Sequence, residues 1–297
     1  MTSEATPLGG ATARASEAWL ASFVALTKPR ITLLSVATAL VGLALAPGEA
    51  DAAVTLALLG GTALSVGSAS TLNMYLEREV DAKMIRTRAR PLPAGLVRPE
   101  SALRFGLLQG AAGLGWLTLG ANVLTGVLGA SALVLYVLVY TPLKQRSSHA
   151  LFIGAVPGAI PPLLGWVASS GAPSLAGLAL FGVVFFWQVP HFLAIALFRR
   201  DDYRAAGLKV LPNERGVANT RRTIAVGLVL QVLCTLVLVP LGVGGTVYLG
   251  GALVLGAVML GWGVVGLLGA GDDLWAHRLF RISVVYLPLL FTLLVMT

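Results

Sequence analysis

Charge is scarce in this sequence, and one sign dominates what there is. Only 11% of its 297 residues are Asp, Glu, Lys or Arg, against about 25% in a soluble globular domain. That deficit, with 57% hydrophobic residues and a mean hydropathy of +0.85, excludes an ordinary water-soluble fold. Cysteine is almost absent too. Cys234 stands alone inside an apolar run, so no internal disulfide can form, and it reads as a buried, inert thiol. Residues 1–22 lack the apolar core of a secretion signal, and Glu4 and Glu17 argue against an organellar transit segment. Acidic residues number 13 against 21 Lys and Arg. The resulting pI of about 10.1 suits anionic lipid headgroups or an anionic substrate. Nucleic acid fits less well, because the basic residues sit in short loops held at a membrane.

What the sequence has in abundance is apolar runs. A membrane-spanning helix needs about 20 mostly apolar residues. Nine runs qualify as candidates: 31–45, 52–76, 101–119, 123–139, 151–168, 175–198, 224–239, 247–268 and 282–296. All 21 Lys and Arg then fall in alternate segments, with Arg104 at the start of the third run counted with the loop before it: the N-terminal segment and those after the second, fourth, sixth and eighth runs. The opposite side carries only Glu49 and Asp51. Basic residues favour the cytoplasmic side, so the pattern predicts an all-α polytopic membrane protein with nine transmembrane helices. The N-terminus is expected in the cytoplasm and the C-terminus outside, with a mobile tail over 1–24 and one domain over 25–297. The absence of an evident transit segment favours a bacterial plasma (inner) membrane.

Only two basic loops are long, about 77–100 and 199–222. Each begins with acids after an apolar run and closes on Leu-Pro, at Leu92-Pro93 and Leu211-Pro212. In the first, "NMYLEREVDAKMIRTRARPLPAG" over 73–95, Asn73, Glu77 and Asp81 are spaced by four. On a helix each step of four drifts only about 40°, so the three lie on one stripe about 12 Å long. An amide and two carboxylates are hard oxygen donors that suit Mg²⁺, an ion usually shared with substrate phosphates. A solvated cap at the membrane surface is the bland alternative. Two features weigh against it. Asn73 lies inside the apolar run, where polar side chains are costly, and the second acidic pair, Asp201 and Asp202, falls on the same side. Together the two clusters could hold metal that bridges a diphosphate and assists its departure. Lys28 and Arg30 begin the first run, and Tyr140 and Lys144 share a helix face; membrane anchoring explains both pairs as well.

These segments, together with "LTKPRIT" at 26–32, "YTPLKQRS" at 140–147, "IGAVPGAIPPLLGW" at 153–166, "FFWQVPHF" at 185–192 and "DDYRAAGLKVLP" at 201–212, resemble the UbiA superfamily of intramembrane prenyltransferases. The Met-x-Arg-Thr-x-x-Arg-Pro and Trp-Gln-x-Pro-His elements are similar to those of its heme-farnesylating branch. The resemblance covers about residues 25–225. It implies nine helices around a central cavity and transfer of farnesyl from farnesyl diphosphate to a vinyl group of heme B. Water completes that addition, giving heme O and diphosphate, and heme O then serves heme A synthase or terminal oxidase assembly. It further implies Mg²⁺ at Asn73, Glu77, Asp81, Asp201 and Asp202. Candidates for the diphosphate are Lys28, Arg30, Lys83, Arg86, Arg90, Lys144 and Arg146, with Tyr140 beside them. His191 is then either a heme contact or a buried core histidine. Glu77 replaces the family's usual Asp, Ala150 an Asn, and Val210 a Met, which touches local packing more than chemistry. An aromatic or quinone precursor as acceptor is the nearest alternative. A transporter or a heme-binding structural subunit accounts less well for two acidic clusters at helix ends.

Overall fold

The computed structural model describes residues 19–49, 51–270 and 273–297. Among them there is helix and turn and no strand. In chain order the helices are α1 (Trp19–Leu26), α2 (Pro29–Leu45), α3 (Ala52–Asp81), α4 (Pro99–Gly120), α5 (Val123–Leu143), α6 (Ala150–Ser170), α7 (Leu175–Phe198), the short α8 (Arg200–Ala205), α9 (Leu211–Val237), α10 (Thr246–Gly269) and α11 (Asp273–Met296).

Seven of these, α3, α5, α6, α7, α9, α10 and α11, are long and apolar enough to cross a membrane, and α1 with α2 makes an eighth if that pair, bent by 46°, is one span. All nine apolar runs lie in helices, yet the count of nine spans is not reached on length and composition. The shortfall is α4. It has 22 residues, but Glu100, Arg104, Gln109 and several glycines dilute its hydropathy. Only the last six residues of the tail expected over 1–24 are among the described residues. Trp19 onward is helix, with Phe23 edge-on to Phe105 at 5.1 Å, and Leu26 is fully buried; residues 1–18 lie outside the described residues.

Small residues let the helices approach closely, as is usual where lipid supplies no hydrophobic drive between spans. A Cβ on Gly42 of α2 would collide with the Pro162 carbonyl, and one on Gly165 of α6 with that of Ala39. The Ser68 hydroxyl donates to the Gly106 carbonyl at 2.7 Å, tying α3 to α4. The chain thus runs α2 against α3 and α6, α3 against α4, and α5 against α4 and α6, while α7 packs on α6, α9 and α11. Contacts of α11 with α2 close the circuit. The largest apolar core lies among α7, α9, α10 and α11. The other half keeps a cavity of about 120 Å³, lined by Thr62, Val66 and Ser70 of α3, Leu133 and Tyr136 of α5, and Pro157 and Pro161 of α6.

Helix α3 decides where polar chemistry can sit. Its 30 residues make a rod of about 45 Å, longer than a hydrocarbon core of about 30 Å. Asn73, Glu77 and Asp81 occupy its last turns, just past the cavity-lining Ser70.

Candidate active site

All three stripe residues are buried, at 2%, 3% and 3% exposure for Asn73, Glu77 and Asp81. An isolated charge in such a place costs several kcal/mol, so each must find a partner. Three cations from three other segments supply them. Lys28 Nζ donates to Asn73 Oδ1 at 3.1 Å. Lys144 Nζ donates to Glu77 Oε2 at 3.1 Å. Arg90 Nη1 pairs with Asp81 Oδ2 at 2.6 Å. Lys28 also feels the charges of Arg90, Lys144, Glu77 and Asp81, so these groups form one electrostatic unit. Three basic side chains against two carboxylates make a setting that attracts an anion when all three are protonated.

Local folding puts each cation there. Lys28 occupies the break between α1 and α2 with φ of 48°, the one positive φ outside glycine among the described residues. A long side chain in the left-handed region is strained, and such strain concentrates at functional sites. Lys144 follows the end of α5 and lies 5.7 Å from the Tyr140 ring centroid. Burial opposes its charge, but Tyr140 and the Glu77 carboxylate outweigh that and hold the ammonium above its ordinary range. Arg90 reaches back nine residues because the loop after α3 folds over the helix end. The Thr87 hydroxyl donates to the Asp81 carbonyl at 2.8 Å, Met84 is buried beside Ala206 and Leu208, and Leu92 beside Leu26 and Met74.

Asn73 is held from a second side. Its Nδ2 donates to Thr141 Oγ1 at 3.1 Å, and that hydroxyl donates to the Tyr136 carbonyl at 2.8 Å. The amide oxygen therefore faces Lys28 as an acceptor. Glu77 Oε1 lies 2.9 Å from the same Lys144 ammonium, so both carboxylate oxygens face that one cation. A carboxylate between an amide oxygen and a second carboxylate is a set of oxygen donors that fits a hard divalent cation.

The second acidic pair is brought near but not into this unit. Val80 and Tyr203 pack on the cluster of Met84, Ala206 and Leu208, so the end of α3 meets α8 and the turn after it. Asp201, however, is exposed and pairs with Arg204 at 3.0 Å, while Asp202 is half-buried. Among the described residues, no three His, Cys, Asp or Glu side chains gather closely enough to hold an ion. Helix α8 thus turns Asp201 toward Arg204 and solvent. Arg30, Lys83, Arg86 and Arg146 are likewise exposed. His191 is elsewhere. Buried between α7 and α11, it shares a 2.8 Å hydrogen bond with the Ser283 hydroxyl and stacks on Trp187 at 4.7 Å. Its ring contacts are core contacts.

A protein-family model, the UbiA prenyltransferase family, matches residues 35–285. This chain belongs to the UbiA prenyltransferase family. Curated relatives of this prenyltransferase include two named protoheme IX farnesyltransferase. That of Sorangium cellulosum (strain So ce56) is 55% identical over 240 residues, 81% of this chain and 85% of the relative. That of Anaeromyxobacter dehalogenans (strain 2CP-C) is 47% identical over 274 residues, 92% of each chain. Solved structures agree in fold. One concerns digeranylgeranylglyceryl phosphate synthase in membranes, with a TM-score of 0.81 at 16% identity, covering 94% of this chain and 98% of that one. A UbiA homolog from Archaeoglobus fulgidus bound to GPP and Mg²⁺ has a TM-score of 0.61 at 16% identity, covering 92% and 99%.

Sequence reasoning missed Thr87, Thr141 and Tyr136 in this UbiA prenyltransferase. Thr141 precedes Pro142 directly after Tyr140, so its polar side chain at the end of an apolar run was the available signal. Tyr136 carried no signal beyond its spacing of four from Tyr140.

Proposed function

We propose that this chain transfers the farnesyl group of farnesyl diphosphate to a vinyl group of heme B, with addition of water, giving heme O and diphosphate. The observation that carries this reading is a unit of three half-buried basic side chains, Lys28, Arg90 and Lys144, around the buried Asn73, Glu77 and Asp81, one helical turn past Ser70 in the wall of an apolar cavity. A prenyl diphosphate has that polarity: an anionic head and an apolar tail. The names of relatives up to 55% identical favour heme B over an aromatic or quinone precursor as acceptor. A cavity of about 120 Å³ is close to the 150 Å³ or so that holds benzene, so a fifteen-carbon tail extends beyond it along the helices.

In this reading Arg90 forks onto the diphosphate, and Lys28 and Lys144 add point charges. Asn73, Glu77 and Asp81 would hold Mg²⁺, with Asp202 a further candidate to orient it. The ion, when bound, neutralises charge growing on the leaving diphosphate. The C1–O bond breaks with its electron pair leaving on diphosphate. The cavity walls keep water from the allylic cation, the vinyl terminal carbon attacks C1, and water adds to the cation left beside the porphyrin and then loses a proton. His191 holds α7 to α11. The basic side faces the cytoplasm of a bacterial plasma membrane, nine crossings put the N-terminus there and the C-terminus outside, and heme O passes to heme A synthase or a terminal oxidase.

The test is to incubate purified protein with heme B, farnesyl diphosphate and Mg²⁺, and to look for heme O by mass. Diphosphate release with farnesylation of a phenolic acid and none of heme B would move the acceptor to the aromatic class.

A further inference from the structure

Between the charged unit and the apolar cavity stands one ring that the mechanism above does not use. Tyr136 lines the cavity, and its hydroxyl feels the charges of Lys144, Glu77 and Arg90. Its position comes from an irregularity in α5. Residues Leu135–Tyr140 form a π turn, in which the Thr141 N–H reaches back to the Tyr136 carbonyl. Such turns are rare and recur at functional sites. The Thr141 hydroxyl bonds the same carbonyl and receives Asn73 Nδ2, so the backbone under Tyr136 is tied to the acidic stripe. Tyr140 stands 5.2 Å away, ring centroid to centroid, and already has the Lys144 ammonium over its face. Among the described residues the ring-bound cations are Arg78 on Tyr75, Lys144 on Tyr140 and Arg199 on Phe198; the Tyr136 ring has none.

We infer that Tyr136 is a further catalytic residue: its ring lies against the allylic carbons as the C1–O bond breaks and stabilises the positive charge they develop. This rests on the prenyl-diphosphate reading of the site. The step is heterolytic. The bonding pair leaves with diphosphate, the positive charge spreads over C1 and C3, and the electron-rich ring face attracts it as it attracts any desolvated cation. The ring forms no bond and loses no proton. The Tyr136 hydroxyl is therefore dispensable, and the electron density of the ring is not.

The experiment replaces Tyr136 with Phe, with Leu, and with phenylalanines carrying one, two and three ring fluorines, which withdraw ring electron density at nearly constant shape. Diphosphate release from farnesyl diphosphate is followed at saturation with and without heme B, together with KM. Tyr136→Phe is expected within about twofold of wild type. Each added fluorine should lower kcat further while KM stays level, and Tyr136→Leu should lose roughly 3- to 30-fold. A purely structural ring would be indifferent to fluorination, so a flat series overturns the proposal, as does wild-type kcat in Tyr136→Leu. A wild type that releases diphosphate but leaves heme B unmodified removes the heme acceptor, and the same release rates still decide the role of Tyr136.

Discussion

Removing the Lys144 charge should destabilise the protein, and Mg²⁺ should undo much of the damage. The Glu77 side chain is 4% exposed and the Lys144 ammonium lies 2.9 Å from it. At an effective dielectric of 20 that separation is about 6 kcal/mol of attraction, largely offset by the cost of dehydrating both groups. Lys144→Met keeps the length and removes the charge, leaving a buried carboxylate uncompensated, which costs about 3–5 kcal/mol. In metal-free detergent the melting temperature should fall by roughly 5–15 °C. Glu77→Gln on top of Lys144→Met should recover most of the loss, because the two positions interact directly. If Glu77 is also a metal ligand, millimolar Mg²⁺ should raise the melting temperature of Lys144→Met more than that of wild type and leave the double variant unmoved. Thermal unfolding of the three proteins with and without chelator measures all six states. A Lys144→Met protein as stable as wild type without metal would refute the paired buried carboxylate. One that is destabilised but blind to Mg²⁺ would refute metal binding at Glu77.

Arg90→Ala should raise KM for farnesyl diphosphate at least tenfold, whereas Arg86→Ala should change it less than threefold, since Arg90 pairs with the buried Asp81 and Arg86 is exposed; steady-state kinetics on both variants decides. His191→Ala should lose about 2–4 kcal/mol of stability by emptying the space between Trp187 and Phe280, with heme affinity and spectrum unchanged. A displaced heme absorption band would instead make His191 a ligand. With Cys234→Ala removing the native thiol, Glu49→Cys and Ala94→Cys should label from opposite sides of the membrane in intact cells and inverted vesicles. Labelling of both from one side would break the proposed topology.

The sequence made some of this legible because its signals are local. Apolar runs place helices, and Asn73, Glu77 and Asp81 share a stripe whatever packs against them, since a helix turns by a fixed angle. Helix ends were less legible. Helix α11 begins at Asp273, well before the apolar run at 282, and α9 begins at Leu211 and kinks at Gly216 before the run at 224, because charged turns beside an apolar run form helix without contributing to hydropathy. Pairing was not legible at all. Lys83, Arg86 and Arg90 stand in one basic loop, and which of them meets Asp81 depends on the loop folding back, as the burial of Met84 and Leu92 makes it do. The second acidic pair repeats the pattern, because Asp201 and Asp202 are adjacent and α8 sends Asp201 to Arg204.

The π turn sets the limit of such reading most sharply. A regular helix through 135–143 would bond Tyr140 N–H to the Tyr136 carbonyl. One extra residue in the turn instead gives that carbonyl to Thr141, through both its N–H and its hydroxyl. The same hydroxyl then fixes the Asn73 amide, which leaves Asn73 Oδ1 to Lys28. A departure of one residue in α5 thus orients the first member of the acidic stripe on α3 and, through it, the strained lysine ahead of α2. Periodicity carries no trace of this chain of contacts, since it assumes the regular turn from which the site departs. Straightening α5 would disturb the acidic stripe without altering any of its residues.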